Sequence, residues 1–273
     1  MPPLIIRWTI GDVSDYGFTA LQMSVWGAWR LFGNKVRYVI CVNTIPLQLA
    51  QQRAGEVPAA VIWRDVTAEF PIFLQSYFDE YKAEGVGWKF APLRLSPDCM
   101  ELALDNDCIL WELPNAFRCW LKTPGSFLFA ADVQACFGQF SRICGPEPLN
   151  SGIRGLPPGF DLEQALLVML REGQFTLRSE LDEQGLQAAI IKRHHPFIIS
   201  TKEVSICSPF PPHVPNLGLC GAHFVGLNAK SLPWDYQGRP AIEYIRAHWA
   251  AHLPIIRKKI ESVRSAGTEG GEH

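Results

Sequence analysis

The chain has 273 residues, 48% of them apolar, and carries 25 Lys+Arg against 27 Asp+Glu, a formal charge of −2 with histidine neutral. A nucleic-acid binder gathers cations that displace phosphate counterions, and a disordered chain is poor in apolar side chains, so this composition argues against both. A chain of this length buries enough core for one α/β domain.

LIIRWTI (4–10) is a short, Ile-rich apolar run ending at Gly11 and predicts a strand; Phe18 to Phe32 follows at helical spacing. VRYVICV (36–42) predicts a second strand, Pro46 to Arg53 a short helix, AAVIWRDV (59–66) a third strand, and Ile72 to Lys82 another helix. CMELALDNDCILWEL (99–113) predicts a strand interrupted by a small acidic turn, and SFLFAADV (126–133) a further strand. NSGIRGLPPGFD (150–161) reads as a Gly/Pro loop, Leu162 to Leu170 and EQGLQAAIIKRH (183–194) as helices, and CSPFPPHVPNLGLCG (207–221) as a proline-laden loop. A long amphipathic helix from Ala241 to about Ser265 closes the pattern. Strands alternating with helices predict a mostly parallel, twisted sheet with helices on both faces, in which ligands sit beyond the carboxyl ends of the strands. No repeat or linker divides the chain, so residues 1–265 are expected to form one domain and 266–273 a flexible tail.

MPPLIIRWTIGD lacks a basic stretch before a long apolar core, and the densest apolar run, ALLVML (165–170), is too short to cross a bilayer. Neither signal peptide nor membrane span is expected. The eight cysteines stand at least eight positions apart, which excludes a CxxC or zinc-knuckle pattern; packed, reduced thiols and a cytoplasmic location are the expectation.

Asp105-Asn106-Asp107 ends an apolar strand. Two carboxylates two positions apart on a tight turn can reach one hard divalent ion, although Asp and Asn also populate solvated strand-end turns. Asp98, Glu101 and Glu112 lie close in sequence, and a bound cation would offset their repulsion. Farther on, GLCGAHFVGLNAKSLPWDY (218–236) reads as a loop bringing an imidazole, backbone amides and an ammonium toward one point. That set suits a metal-bound diphosphate, with His223 as a ligand and Lys230 neutralising an anionic leaving group. Taken singly, His223 fits an ordinary loop or core histidine and Lys230 a solvated lysine.

Together these fragments resemble the nucleotide-diphospho-sugar-dependent glycosyltransferases of the GT-A fold, most of all the glycogenin and lipooligosaccharide galactosyltransferase group. The similarity is carried in order by 9–16, WKFAPLRL (88–95), LALDNDCIL (102–110), NSGIRGLP (150–157), DEQGLQA (182–188) and HFVGLNAKSLPW (223–234). It implies a single GT-A-like α/β domain, a Rossmann-like nucleotide-binding half joined to an acceptor-side half. It further implies that Asp105, Asp107 and His223 bind Mn²⁺ or Mg²⁺, that Gly226 and Lys230 hold the diphosphate, and that Lys89 lies near the donor phosphates. Thr9 and Tyr16 fall where the nucleobase is held. Asn150, Ser151 and Asp132 would face the donor sugar, and Glu183 and Gln184, with Asp182 beside them, the reacting anomeric carbon. Each also has a structural alternative: Lys89 capping a helix end, Tyr16 packing on the first helix, Asn150-Ser151-Gly152 as a plain turn, and Asp182-Glu183 as the acidic first turn of a helix. His194 and His195, beside Lys192 and Arg193, read as a solvated basic helix end.

The implied activity is metal-dependent, retaining transfer from a nucleotide sugar, UDP-linked, to a hydroxyl of a saccharide, lipid or protein acceptor. Two alternatives stand beside it. One is a non-catalytic nucleotide-sugar-binding protein. The other is a sugar-phosphate nucleotidyltransferase, disfavoured because IGDVSDYG after the first strand has only Gly11 and Gly17 where a phosphate cradle needs a Gly-rich loop.

Overall fold

The computed structural model describes residues 3–262. Alternation along β1 (Leu4–Ile10) assigns its side chains to two different cores, because successive residues of a strand point to opposite faces. Leu4, Ile6, Trp8 and Ile10 pack with α1 (Asp15–Phe32), whereas Ile5 joins a second core on the other face, the face that Arg7 and Thr9 share by alternation. Ser14 caps α1, its Oγ accepting from Gly17 N at 3.2 Å.

The chain continues through β2 (Arg37–Val42), α2 (Leu47–Ala54) and β3 (Val61–Asp65) to β4 (Met100–Leu104) and β5 (Cys108–Leu110), which flank the acidic turn. Then come α3 (Asn115–Lys122), β6 (Leu128–Ala131), α4 (Ser141–Cys144), β7 (Leu149–Leu156), α5 (Leu162–Arg171), α6 (Glu180–Lys192), β8 (Phe197–Ile199), β9 (Val204–Cys207), β10 (Gly221–Phe224) and α7 (Ala241–Ser262). Among the described residues seven strands form one sheet in the order β3-β2-β1-β4-β7-β6-β8. The pairs around β1, β2, β3 and β4 are parallel, as is β6 with β8, and β7 runs antiparallel to both its neighbours. Helices α1, α2 and α3 cover one face and α5 and α6 the other, as expected for a sheet buried on both sides. A smaller sheet, β5-β10-β9, is backed by α7 through Ile245, Trp249, Ile256 and Ile260.

Four expectations are corrected. The segment 150–161 is not a loop at its start: Asn150 to Leu156 belong to β7, whose residues are all buried because the strand is paired on both edges. The helix expected over 72–82 is confined to a single 3-10 turn, Ile72–Leu74. Beyond it Phe78 bridges Leu177, and Lys82, Ala83, Glu84 and Gly85 all have positive φ (50, 52, 60 and 90°), so pairing with a distant segment overrides the helical spacing. His223 lies on β10 rather than in a loop, because Gly221–Phe224 pairs with both β5 and β9. The helix expected over 183–194 starts earlier, at Glu180, capped by Ser179.

All eight cysteines are free thiols. His194 is exposed as expected, but its ring stacks on Phe127 at 4.3 Å between centroids. Among the described residues no helix is long and apolar enough to cross a membrane. Helix α7 is described to Ser262, and the tail expected at 266–273 lies outside the described residues.

Candidate active site

The acidic turn sits where the chain leaves one sheet for the other. Asp105 N donates to Gly152 O at 2.8 Å, Cys108 N to Asp105 O at 3.0 Å, and Phe224 N to Asp107 O at 2.9 Å. Between the two carboxylates Asn106 Nδ2 donates to Gly17 O (3.0 Å) and Asn228 Oδ1 (2.6 Å), and Asn228 Nδ2 returns a bond to Asn106 Oδ1 at 3.1 Å. The turn is thereby tied to α1, β7, β10 and the segment after β10.

Register places His223 opposite Cys108, and its Nε2 lies 3.3 Å from Asp107 Oδ1 and 3.7 Å from Asp105 Oδ2. One ligand atom from each of Asp105, Asp107 and His223 falls within 4.8 Å of the others. Gly152 makes room for this: a Cβ there would stand 2.6 Å from His223 Cε1 and 2.8 Å from its Nδ1.

Asp107 is 4% exposed, and its Oδ1, 3.3 Å from His223 Nε2, accepts no well-aligned hydrogen bond from the described residues. A carboxylate at that depth costs free energy unless something positive meets it, here a protonated His223 or a bound cation. Burial opposes charge on His223, but Asp107 and then Asp105 outweigh it, and the imidazole pKa is raised. Two carboxylates and one imidazole converging on one point fit a divalent cation.

Lys89 stands beside this triad on a short 3-10 turn, Val86–Phe90. Its Nζ lies 2.9 Å from Asp105 Oδ1, 3.4 Å from Ser151 Oγ and 3.5 Å from Glu183 Oε2. Burial works against its charge, yet Asp105 and then Glu183 more than compensate, so its pKa is raised. Burial pushes the Glu183 carboxyl up to about 7, against the pull of Lys89 and with Asp105 adding to the rise. Gln184 accepts from Ser151 N at 3.2 Å and donates to Cys136 O at 3.0 Å. Asn150 donates to Asp132 Oδ2 at 2.8 Å and accepts from Gly152 N at 2.8 Å.

Two clefts meet at this point, with Val86, Lys89 and Asp105 in the wall common to both. One, of about 370 Å³, is lined by Asp107, Asp132, Asn150, Ser151, Glu183, Gln184, His223 and Gly226, so it gathers most of the residues singled out from sequence. The other, of about 420 Å³, is lined by Thr9, Asp12, Asn43, Asn106 and Asn228, with Tyr81 and Lys82 across from them. Three expected residues line neither. Asp182 is turned away, its carboxylate accepting from Gln139 N and Arg178 N at 3.0 Å each. Tyr16 is 37% exposed beneath the Arg246 guanidinium, 5.4 Å from its ring centroid. Lys230 stands outside, 2.6 Å from Asp12 Oδ2. Sequence reasoning missed Asp12, Asn43, Asn228 and His213 as lining residues; Asp12 was within reach, as an acid directly after a strand that ends in Gly.

No protein-family model matches the sequence, and no curated protein does. Solved structures do match. The galactosyltransferase LgtC, in complex with donor and acceptor sugar analogs, superposes with a TM-score of 0.56 at 13% identity, covering 90% of this chain and 95% of that one. The chain has the GT-A glycosyltransferase fold. An active-site mutant of LgtC matches with a TM-score of 0.51 at 12% identity, covering 90% and 95%. The apo bifunctional glycosyltransferase WbbM matches with a TM-score of 0.50 at 12% identity, covering 96% of this chain and 52% of that one. Within this GT-A fold the two clefts open beyond the carboxyl ends of β1, β2 and β4, where open α/β sheets bind ligands.

Proposed function

We propose that the protein is a divalent-metal-dependent glycosyltransferase, with residues 1–265 as its one domain, moving a sugar from a nucleotide diphosphate of the UDP type to a hydroxyl acceptor. The observation that carries this is the convergence of Asp105, Asp107 and His223 on the meeting point of two clefts. These three residues would hold Mn²⁺ or Mg²⁺, which supplies Lewis-acid stabilisation of charge on a departing diphosphate. In this assignment the cleft of Thr9, Asp12 and Asn43 takes the nucleoside, and the cleft of Asp132, Asn150 and Ser151 takes the donor sugar and the acceptor. Gly226, with φ of 91°, would let backbone approach the diphosphate closely, and Lys230, paired with Asp12 outside the clefts, is assigned to neutralise it once the donor is bound.

The reaction breaks the bond between the anomeric carbon and the diphosphate oxygen and forms one to the acceptor oxygen, whose proton passes to the released diphosphate. Positive charge developing at the anomeric carbon is met by Glu183 in its ionised form and by the Gln184 carbonyl, and retention of configuration follows from attack on the departure face. Tyr16 and Asp182 are given no contact with donor, because Tyr16 lines neither cleft and the Asp182 carboxylate is held by Gln139 N and Arg178 N.

A thermal-shift panel of nucleotide sugars, each with and without Mn²⁺, tests the proposal, followed by detection of released nucleoside diphosphate. Stabilisation by a UDP-sugar that needs Mn²⁺, with release of UDP, is the expected result. Metal-independent stabilisation without release would favour a binding protein instead.

A further inference from the structure

A row of buried charge crosses the sheet face that packs on α6. Arg7 of β1 meets Glu101 of β4 at 3.2 Å, and Glu101 is further engaged by Arg94 Nε (3.5 Å) and Leu95 N (2.8 Å). Arg154 of β7 lies next in this row, 2% exposed and in register with Ala103 of β4 and Phe129 of β6. No carboxylate partners it: NH1 donates to Gln187 Oε1 at 2.5 Å, and Nε and NH2 meet no acceptor among the described residues. Burial lowers its pKa to about 10. A side chain serving only to fill this core would be apolar, as Leu149 and Leu156 of the same strand are.

We propose that Arg154 is a positioning residue for Glu183, acting through Gln187. A guanidinium has donors and no acceptor, so the Gln187 atom it meets is the amide oxygen, and the amide nitrogen is turned the other way. That nitrogen donates to Glu183 Oε1. With Oε1 held, Glu183 presents Oε2 to Ser151 Oγ and Lys89 Nζ, 3.5 Å from each, on the side of the cleft. Arg154 thus fixes the rotamer of a carboxylate it does not touch, and its charge favours the ionised form. The groups facing Glu183 are Lys89 from the 86–90 turn, Asp105 from the acidic turn and Arg154 from β7. A cavity of about 10 Å³, bounded by Arg154, Gln187, Ser151, Thr9 and Lys89, leaves room for about one water beside the unpaired guanidinium nitrogens.

This inference rests on Glu183 facing the reacting carbon, and its test separates the two. Arg154→Met, Arg154→Lys and Gln187→Leu are compared with the wild-type protein by the carboxyl ¹³C NMR titration of Glu183, by Mn²⁺ affinity, and by kcat and KM for the donor found in the thermal-shift panel. In Arg154→Met the Glu183 midpoint is expected to rise by about half a pH unit or more. Mn²⁺ affinity and donor KM are expected to stay within about threefold while kcat falls about tenfold or more, and Arg154→Lys should recover most of the loss. An unchanged Glu183 midpoint in the folded variant overturns the inference, as does an unchanged kcat. If Arg154→Met does not fold, Arg154→Lys and Gln187→Leu carry the same titration. If the wild-type protein turns over no donor, the glycosyl-transfer assignment fails while the titration still decides the role of Arg154.

Discussion

Replacing Gly152 by alanine tests how the acidic turn and His223 are held together. The added methyl would stand 2.6 Å from His223 Cε1, 2.8 Å from Nδ1 and 2.8 Å from Asn150 Oδ1. Carbon atoms separate at about 3.5 Å, so the ring or the strand must retreat by about 0.9 Å. Neither has slack. Asp105 N bonds Gly152 O at 2.8 Å, and β10 is paired on both sides. Overpacking of this kind costs about 1–3 kcal/mol of stability. A displacement near 1 Å also spoils ligand geometry, so Mn²⁺ affinity should fall about 10–100-fold, the loss typical when the support of a ligand is disturbed. Calorimetric titration with Mn²⁺, beside thermal unfolding of the metal-free protein, measures both. A folded Gly152→Ala protein that binds Mn²⁺ within about twofold of wild type would refute the reasoning.

Asp107→Asn should abolish the Mn²⁺-dependent thermal shift while the metal-free protein still folds, somewhat less stable, because it removes the charge that pairs with His223 Nε2 but keeps a side chain of the same shape beside Asn228; a retained shift would take Asp107 out of the site. Glu183→Gln should stabilise the metal-free protein above neutrality and not below about pH 4.5. The folded-state pKa of about 7 lies above the ordinary 4.5, so the unfolded chain releases its proton first, stability declines as pH rises between those values, and above them a penalty of ~3 kcal/mol persists that glutamine lacks. Urea unfolding at both ends of that range checks it, and equal effects at the two would contradict it. Lys230→Ala should change stability by less than ~1 kcal/mol, since its pair with Asp12 is exposed, yet weaken UDP-sugar binding with Mn²⁺ by about tenfold; undiminished binding would remove Lys230 from the diphosphate.

The first three strands and the helices between them were legible because their apolar runs are long and bounded by turn residues. β7 was not. Its Asn, Ser and Gly residues have a turn's composition, and only pairing with β4 and β6 explains why all are buried. The 72–82 segment carries a helix's spacing, but Phe78, Trp88 and Phe90 are drawn into one core and Tyr77 O accepts from Leu177 N at 2.6 Å, a partner no local pattern reveals. Short motifs singled out Asp105, Asp107, His223, Lys89 and Glu183, which the fold brings together. The same motifs named Asp182, whose carboxylate is taken up by the turn at Gln139, and Tyr16, which lines neither cleft, since an aromatic beside a strand end does not say which side of α1 it takes. Arg154 and Gln187 gave no signal, since a buried arginine in a strand is seen only when its neighbours are.

The three candidate ligands do not come from one layer. Asp105 follows β4 of the large sheet, whereas Asp107 leads into β5 and His223 rides on β10 of the small one. A cation held among them is therefore a rivet through a seam as well as a reagent. At free ion about 100-fold above its Kd it would add about 2.7 kcal/mol to the cohesion of the whole. Chelation would then weaken the junction between the two sheets as well as the chemistry.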